Sequence, residues 1–68
     1  MSRKSNLAQN IKRLRKQLKL SQEELAKKAG ITYSTLIKIE SGKNDNPTIK
    51  TLLKIAKALN VKIDDLLK

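Results

Sequence analysis

The chain has no cysteine and no histidine, and it contains one proline, two glycines and a single aromatic residue, Tyr33. Without cysteine there is no disulfide to stabilise a small fold, and without cysteine or histidine there is no soft-metal ligand. The missing histidine also removes the commonest general acid or base of an enzyme. We therefore expect a protein that is not an enzyme, with no bound metal and no cofactor.

Glycine-rich loops and long apolar runs are absent as well. The two glycines, Gly30 and Gly42, stand apart, so the chain has no glycine-rich loop to hold a phosphate. No apolar stretch approaches the roughly 18 residues that cross a bilayer. The basic start MSRKSN is not followed by the apolar core of a signal peptide. These absences favour a cytoplasmic protein.

Positive charge is what the chain has in excess. It carries 16 Lys and Arg against 6 Asp and Glu, a formal net charge of +10 over 68 residues. A domain this small and basic is biased towards a polyanion, either nucleic acid or an acidic membrane surface. A lysine coat that only keeps the protein soluble is the alternative. The length predicts one domain, residues 1–68, in which residues 1–5 form a disordered basic N-terminus.

Apolar spacing in the first half predicts three helices. The first covers residues 6–18, is capped by Ser5 or Asn6, and has one apolar face made of Leu7, Ile11, Leu14 and Leu18. The sequence SQEE at 21–24 is a capping box, which starts a second helix over 22–28 that ends at Gly30. Thr32 caps a third helix, Tyr33–Glu40, closed by Gly42, whose inward residues are Leu36 and Ile39.

The second half predicts two more helices after a loop rich in turn formers. Thr48 caps a fourth helix that runs to Leu59, with core-spaced residues Ile49, Leu52, Leu53, Ala56 and Leu59. Asn60 is expected to stop it in a left-handed conformation. A last short helix is predicted over 61–67, with Asp64 and Asp65 near its N-terminus, where the helix dipole favours them. No strand-like alternation is present, so the fold class is all-α.

Two short helices joined by a turn of three to four residues form a helix-turn-helix. The segment SQEELAKKAGITYSTLIKIESG, followed by NPTIKTLLKIAKAL and VKIDDLL, resembles the lambda-repressor and Cro type of helix-turn-helix domain, the XRE family. The resemblance runs from about Leu7 to Leu67. It implies a compact five-helix domain that binds operator DNA as a homodimer, with the third helix as the recognition helix.

The resemblance assigns roles to individual residues. Gln22 matches a glutamine that binds a backbone phosphate and braces the recognition helix, and Arg15 with Glu40 matches a buried ion pair between the first and third helices. The positions that match residues facing base edges or flanking phosphates are Thr32, Tyr33, Ser34 and Lys38. The positions that match a phosphate-contacting loop are Lys43, Asn44 and Asn46.

Some of these residues have a second interpretation. Lys38 either reaches guanine or a phosphate, or is simply solvated. Tyr33 either contacts a sugar, a thymine methyl or a phosphate, or packs over the start of its own helix. Ile37, where the family usually has a polar residue, either contacts a thymine methyl or packs. Asp45 either braces its loop through backbone bonds or holds the loop away from DNA.

These observations predict a small, repressor-like transcriptional regulator that binds double-stranded DNA sequence-specifically through the helix 33–40. Homodimerisation is expected through the last helix, because Val61, Ile63, Leu66 and Leu67 exceed what one short helix needs for its own core. Two alternatives involve a protein partner: an antitoxin of a toxin–antitoxin pair, and an interaction adaptor with this fold that reads no bases. A membrane-active amphipathic peptide is disfavoured, because glycines and caps divide the chain into short helices.

Overall fold

Five α-helices form the described part of the chain, residues 6–68, in a computed structural model. In chain order they are α1 (Asn6–Gln17), α2 (Gln22–Ala29), α3 (Tyr33–Glu40), α4 (Ile49–Leu59) and α5 (Ile63–Leu67). The all-α prediction is confirmed, since residues 6–68 contain no strand. The expected basic N-terminus, residues 1–5, and the cap proposed for Ser5 lie outside the described residues.

The start and end of α2 follow local sequence. The Ser21 hydroxyl accepts from the Glu24 amide at 3.0 Å, and the Glu24 carboxylate accepts from the Ser21 amide at 2.7 Å, so both halves of the capping box form. At the other end Gly30 has φ 74°. A side chain there would be strained by that left-handed backbone, whereas glycine adopts it readily.

The caps of α3 and α4 repeat one geometry. The Thr32 hydroxyl accepts from the Thr35 amide at 3.1 Å, and the Thr48 hydroxyl accepts from the Thr51 amide at 3.2 Å. Each bond satisfies one of the amides that a helix start leaves without a partner. Asn60 ends α4 at φ 60°, in the left-handed conformation expected for it.

The core draws at least one fully buried side chain from every helix. These side chains are Ile11 of α1, Leu25 of α2, Leu36 and Ile39 of α3, Ile55 of α4 and Leu66 of α5. Burying an aliphatic side chain of this size contributes about 1.5–3 kcal/mol. Helices as short as α2 and α3 are unstable alone, so this shared core is what holds α3 in place.

Three residues expected in the core are exposed, and the prediction was wrong for them. Ile49 is 62% exposed, Leu53 is 52% exposed and Leu18 is 47% exposed. The buried side of α4 is centred on Leu52, Ile55 and Leu59, which leaves Ile49 and Leu53 on its outer side. Leu18 already belongs to the turn after α1, because that helix ends one residue earlier than expected.

The last helix is shorter than predicted and begins at Ile63 rather than Val61. Lys62 precedes it and offers no side-chain acceptor, but the Asp65 carboxylate accepts from the Lys62 amide at 3.1 Å. This backbone hydrogen bond, with the ion pair to Lys68 at 3.3 Å, lowers the pKa of Asp65 below its ordinary value of 3.8. The start of α5 therefore has half of the capping box that α2 has in full.

Candidate nucleic-acid interface

The recognition helix α3 presents one buried side and one open side. Leu36 and Ile39 are 0% and 1% exposed, and they fix the helix to the core. On the opposite side Tyr33, Ser34 and Lys38 are exposed, with Tyr33 at 49%. No other part of residues 6–68 covers this side, so it is available to a partner as wide as a DNA groove.

The open side of α3 is a shallow groove with basic and apolar walls. It is lined by Tyr33, Ser34, Ile37, Lys38, Ser41 and Lys43. Ile37 is half-buried and lies in this groove, between Tyr33 and Lys38 in sequence. The groove thus combines hydroxyl groups, two ammonium groups and one aliphatic side chain, which are the groups that contact phosphates, base edges and thymine methyls.

A buried ion pair holds the C-terminal end of α3 against α1. Arg15 Nε donates to Glu40 Oε2 at 2.8 Å, and Arg15 Nη2 donates to Glu40 Oε1 at 3.0 Å. Arg15 Nη1 also donates to the Leu20 carbonyl at 2.9 Å. The planar guanidinium fits a carboxylate through two parallel bonds, which gives this contact a fixed direction as well as a charge interaction. The pair therefore sets where α3 lies relative to α1.

Gln22 joins this pair from the start of α2. Its Nε2 donates to Glu40 Oε1 at 2.9 Å, and its side chain is half-buried. This bond fixes the orientation of the Gln22 amide, because only the nitrogen can donate to a carboxylate. Gln22 is also the first residue of α2, where backbone amides without helical partners favour an anion. The side chain is thus held beside α3, at an end of α2 suited to a phosphate.

The hydroxyl of Thr32 makes its hydrogen bonds within the first turn of α3. It accepts from the Thr35 amide and donates to the Thr35 hydroxyl at 2.8 Å. A hydroxyl has one proton to donate, so in this arrangement none is left for a phosphate oxygen. Among the residues expected to contact DNA, Thr32 therefore stands out as a helix cap first.

The loop that follows α3 is folded back onto the end of that helix. The Asn44 amide donates to the Lys38 carbonyl at 3.0 Å, and Asn44 Oδ1 accepts from the Asn46 amide at 3.1 Å. Lys43 and Asn46 are exposed on the same loop, and Asn44 is half-buried. The local brace considered for Asp45 is provided by Asn44 instead. The loop thus holds Lys43 beside the groove of α3.

Two contacts between distant residues were not predicted from sequence. One is the acceptor of the Gln22 side chain: the family resemblance implied that Gln22 braces the third helix, but local spacing does not show that it binds Glu40, 18 positions away. The other is Asn10 of α1, whose Nδ2 donates to the Leu66 carbonyl at 2.9 Å and thereby joins α1 to α5. An asparagine at the edge of a helical apolar face is an ordinary surface residue in sequence.

Fold and interface together define a helix-turn-helix protein of the type that binds DNA. Residues 11–66 match the family model HTH_3, described as helix-turn-helix, and the chain belongs to this family. The resemblance found in the sequence is thereby confirmed. The family comprises DNA-binding transcriptional regulators. In residues 6–68 no helix has both the length and the apolar character needed to cross a membrane.

Two curated relatives illustrate the match. The chain is 53% identical over 47 residues to an uncharacterized HTH-type transcriptional regulator of Methanocaldococcus jannaschii, covering 69% of this chain and 70% of the relative. It is 41% identical over 61 residues to the HTH-type transcriptional regulator SinR of Bacillus subtilis. That alignment covers 90% of this chain and 55% of SinR, so the chain spans about half of SinR's length.

Solved structures show the same fold. SinR in complex with DNA, described as the master regulator for biofilm formation, superposes with a TM-score of 0.88 at 40% identity, over 91% of this chain and 98% of that chain. The restriction-modification controller protein C.AhdI of Aeromonas hydrophila superposes with a TM-score of 0.83 at 33% identity. That superposition covers 88% of this chain and 89% of C.AhdI. A lambda-repressor-like fold is thus common to this chain and both proteins.

Proposed function

We propose that the protein is a repressor-like regulator that binds double-stranded DNA sequence-specifically, with α3 in the major groove. The observation that carries the proposal is the open side of α3, where Tyr33, Ser34 and Lys38 are exposed above a buried Leu36 and Ile39. A helix in the major groove reads bases with side chains of its N-terminal half, and Tyr33 and Ser34 lie there. The solved complex of SinR with DNA supports this use of the fold.

Phosphate contacts are assigned to residues on both sides of α3. Gln22 at the start of α2 and Lys43 in the loop after α3 flank the recognition helix along the chain, and both have polar groups that can donate to phosphate. Asn44 and Asn46 complete this set, together with exposed lysines such as Lys27, Lys28 and Lys50. If about six phosphates are neutralised per complex, the logarithm of affinity falls with the logarithm of salt at a slope of about −5.

Base readout by this helix is modest in strength. Lys38 donates to guanine O6 or N7 as a single ammonium, whereas Arg, Asn and Gln bind base edges through two bonds. None of these three residue types occurs in 33–40. Part of the specificity therefore comes from the sequence-dependent shape and stiffness of the DNA.

A homodimer is proposed on the apolar face formed by α4 and α5. Ile49, Leu53 and Leu67 are between 52% and 62% exposed. Leu53 also lines a groove between α4 and α5 with the half-buried Val61 and Ile63. Leu53, Val61 and Ile63 are therefore close together, and clustered apolar side chains at the surface are typical of a protein contact rather than a nucleic-acid contact. Two copies joined there would place their recognition helices about 34 Å apart, one turn of DNA.

A protein partner is the second candidate for the apolar face of α4 and α5. It is favoured by the exposure of Ile49 and Leu53 and by the likeness to SinR in its solved complex with SinI, at a TM-score of 0.88 over 60% of that chain. A partner of this kind, a toxin among the candidates, would bind α4 and α5 rather than the open side of α3.

Selection of bound sequences from a pool of random DNA tests the proposal. We expect an enriched, two-fold symmetric motif with half-sites about 10 base pairs apart, centre to centre. Affinity for the enriched site should exceed affinity for unrelated DNA at least about 1,000-fold at physiological salt. Recovery of a pool with no motif, bound only weakly and with the same salt dependence for all sequences, would instead identify a lysine-coated protein or an adaptor.

A further inference from the structure

The helix α5 is too short to hold its own position. It has five residues, of which Leu66 is the buried one, and Lys62 gives it no side-chain cap. A single helical turn fixes many backbone angles for few hydrogen bonds, so it forms only when neighbouring parts of the protein stabilise it. The carbonyls of its last turn also lack helical partners. The contacts made by these C-terminal carbonyls therefore contribute to the orientation of α5 relative to the other helices.

The C-terminal end of α5 is held by asparagine side chains of α1. Asn10 Nδ2 donates to the Leu66 carbonyl at 2.9 Å in a partly buried position. Leu66 is thus fixed twice, because its side chain is 0% exposed in the core and its carbonyl is bound by Asn10. Asn6 Nδ2 donates to the Lys68 carbonyl at 3.1 Å, but in an exposed position where water competes for the bond.

Asn10 Nδ2 also lies 3.4 Å from the Lys68 carbonyl, and a contact to the Asn10 side-chain oxygen fixes the orientation of the amide. Arg13 Nη2 donates to Asn10 Oδ1 at 3.1 Å. With the oxygen facing the guanidinium, the amide nitrogen faces the Leu66 carbonyl, and the reverse orientation would place two oxygens together. Asn10 is therefore a directional donor rather than a side chain that only fills space.

The same helix α1 also fixes the recognition helix. Arg15, five residues beyond Asn10 and so about 7.5 Å further along the axis, makes the buried ion pair with Glu40 of α3. Asn10 binds α5 and Arg15 binds α3, so one rigid helix carries both attachments. One direct connection from α5 to α3 therefore runs through α1, in addition to the packing of α5 against α4.

We propose that Asn10 is a positioning residue that sets the orientation of α5 relative to α3, and through it the distance between the two recognition helices of a dimer. The inference rests on the proposed homodimer through α5. Its consequence is that Asn10 determines which separation of half-sites is bound, although it lies on neither the DNA-contacting side of α3 nor the apolar face of α4 and α5.

Binding to paired half-sites at stepped separations tests this inference. The half-site comes from the selected motif, and duplexes carry either one copy or two copies spaced at about 8 to 13 base pairs, centre to centre. The wild-type chain is expected to show one sharp affinity maximum. In Asn10→Asp a carboxylate that cannot donate faces the Leu66 carbonyl. The ratio of the affinity at the best half-site separation to the affinity at other separations should therefore fall at least about fivefold. The affinity of this variant for a single half-site should stay within about twofold of wild type.

Two further variants make the test specific. Asn6→Ala removes an exposed amide that binds the same helix end, and it should keep the wild-type separation profile. Arg13→Ala leaves the Asn10 donor in place but no longer fixes its orientation. The affinity should therefore depend less on half-site separation than in the wild type, but more than in Asn10→Asp. Thermal unfolding of each variant shows whether it is folded. If Asn10→Asp does not fold, the affinities of Arg13→Ala at each separation test the inference in its place.

The outcomes separate the inference from the proposed function. If the wild-type chain binds paired half-sites no more tightly than a single one, the dimer itself is refuted, and the inference with it. If the wild type shows a sharp maximum and both Asn10→Asp and Arg13→Ala keep it, the dimer stands and the positioning role is refuted. An equal loss at every separation and on the single half-site would show that Asn10 only stabilises the fold, which also contradicts the inference.

Discussion

Two faces of this small protein differ in how they are built. The open side of α3, which we propose contacts DNA, is polar and basic, and buried polar bonds from Arg15 and Gln22 to Glu40 hold this helix in place. The outer side of α4 and α5 carries exposed apolar side chains, Ile49 and Leu53 among them, between exposed lysines. The first suits a rigid polyanion that requires fixed donors, and the second suits a protein surface that gains from removing apolar area from water.

The difference extends to the helix ends beside each face. At the start of α2 both halves of a capping box form, whereas at the start of α5 only the Asp65 half is present. The recognition pair of helices is thus fixed by local capping and by a buried ion pair. The position of α5 depends instead on its packing against α1 and α4. A face that is proposed to read DNA bases needs the more firmly fixed position, and the comparison can be tested by weakening each side in turn.

The largest effect is expected at the ion pair. Glu40→Ala leaves the Arg15 guanidinium buried without its carboxylate, which should lower the free energy of unfolding by about 3–5 kcal/mol. Denaturant unfolding followed by circular dichroism measures it. The exposed loop residue Asp45 is the control, since Asp45→Ala should change stability by less than about 0.5 kcal/mol. A loss below about 1 kcal/mol for Glu40→Ala would mean that the pair does not fix α3.

The next effect distinguishes base contacts from phosphate contacts on the DNA-contacting side of α3. Lys38→Ala should cost about 1–3 kcal/mol at one or two base positions and relax the motif there. Gln22→Ala should weaken binding to all sequences alike, because a phosphate contact carries no sequence information. Competition binding against single-base variants of the selected site measures both. A uniform loss for Lys38→Ala as well would exclude direct base readout by that residue.

A third variant tests the apolar face. Leu53→Asp places a charge where dimerisation would bury it, so affinity for the paired site should fall at least about tenfold, or about 1.4 kcal/mol. Affinity for a single half-site should not change. Lys54→Ala, on the neighbouring exposed residue of α4, is the matched control and should retain paired-site binding. Unchanged paired-site affinity in Leu53→Asp would place the dimer contact elsewhere.

The smallest effect concerns pH at the start of α5. Because hydrogen bonding lowers the pKa of Asp65 in the folded state, its contribution is present above the unfolded value near 3.8 and is lost as pH falls through the folded value. On acidification from about pH 5 to about pH 2 the wild-type chain should lose more stability than Asp65→Asn, which carries no carboxylate to protonate. Thermal unfolding at each pH compares the two proteins. If their stabilities fall by the same amount between these pH values, the stabilising role of the Asp65 carboxylate is contradicted.

Much of the fold followed from short-range patterns. The capping box at Ser21, the threonine caps at Thr32 and Thr48, and the left-handed stops at Gly30 and Asn60 are all determined by a few neighbouring residues, and the structure confirms each. These signals depend on hydrogen bonds within one turn, so the sequence alone is sufficient to identify them.

The rest depended on contacts between distant residues. Helical spacing put Ile49 and Leu53 on the apolar side of α4, but burial requires another element to cover them, which spacing cannot reveal. The bonds of Gln22 to Glu40 and of Asn10 to Leu66 join residues 18 and 56 positions apart. The pairing of Arg15 with Glu40 was expected from the family resemblance rather than from any local pattern.

The central claim is that α3, rather than the apolar face of α4 and α5, meets DNA. Titrating the ¹⁵N-labelled protein with a duplex that carries one selected half-site, and following every backbone amide by NMR, tests it most directly. The account predicts that the largest shifts fall at 32–38, at Gln22 and in the loop 43–46, with α5 nearly unchanged. Shifts concentrated at Leu53 and in 61–67, with those of α3 unaltered, would contradict it.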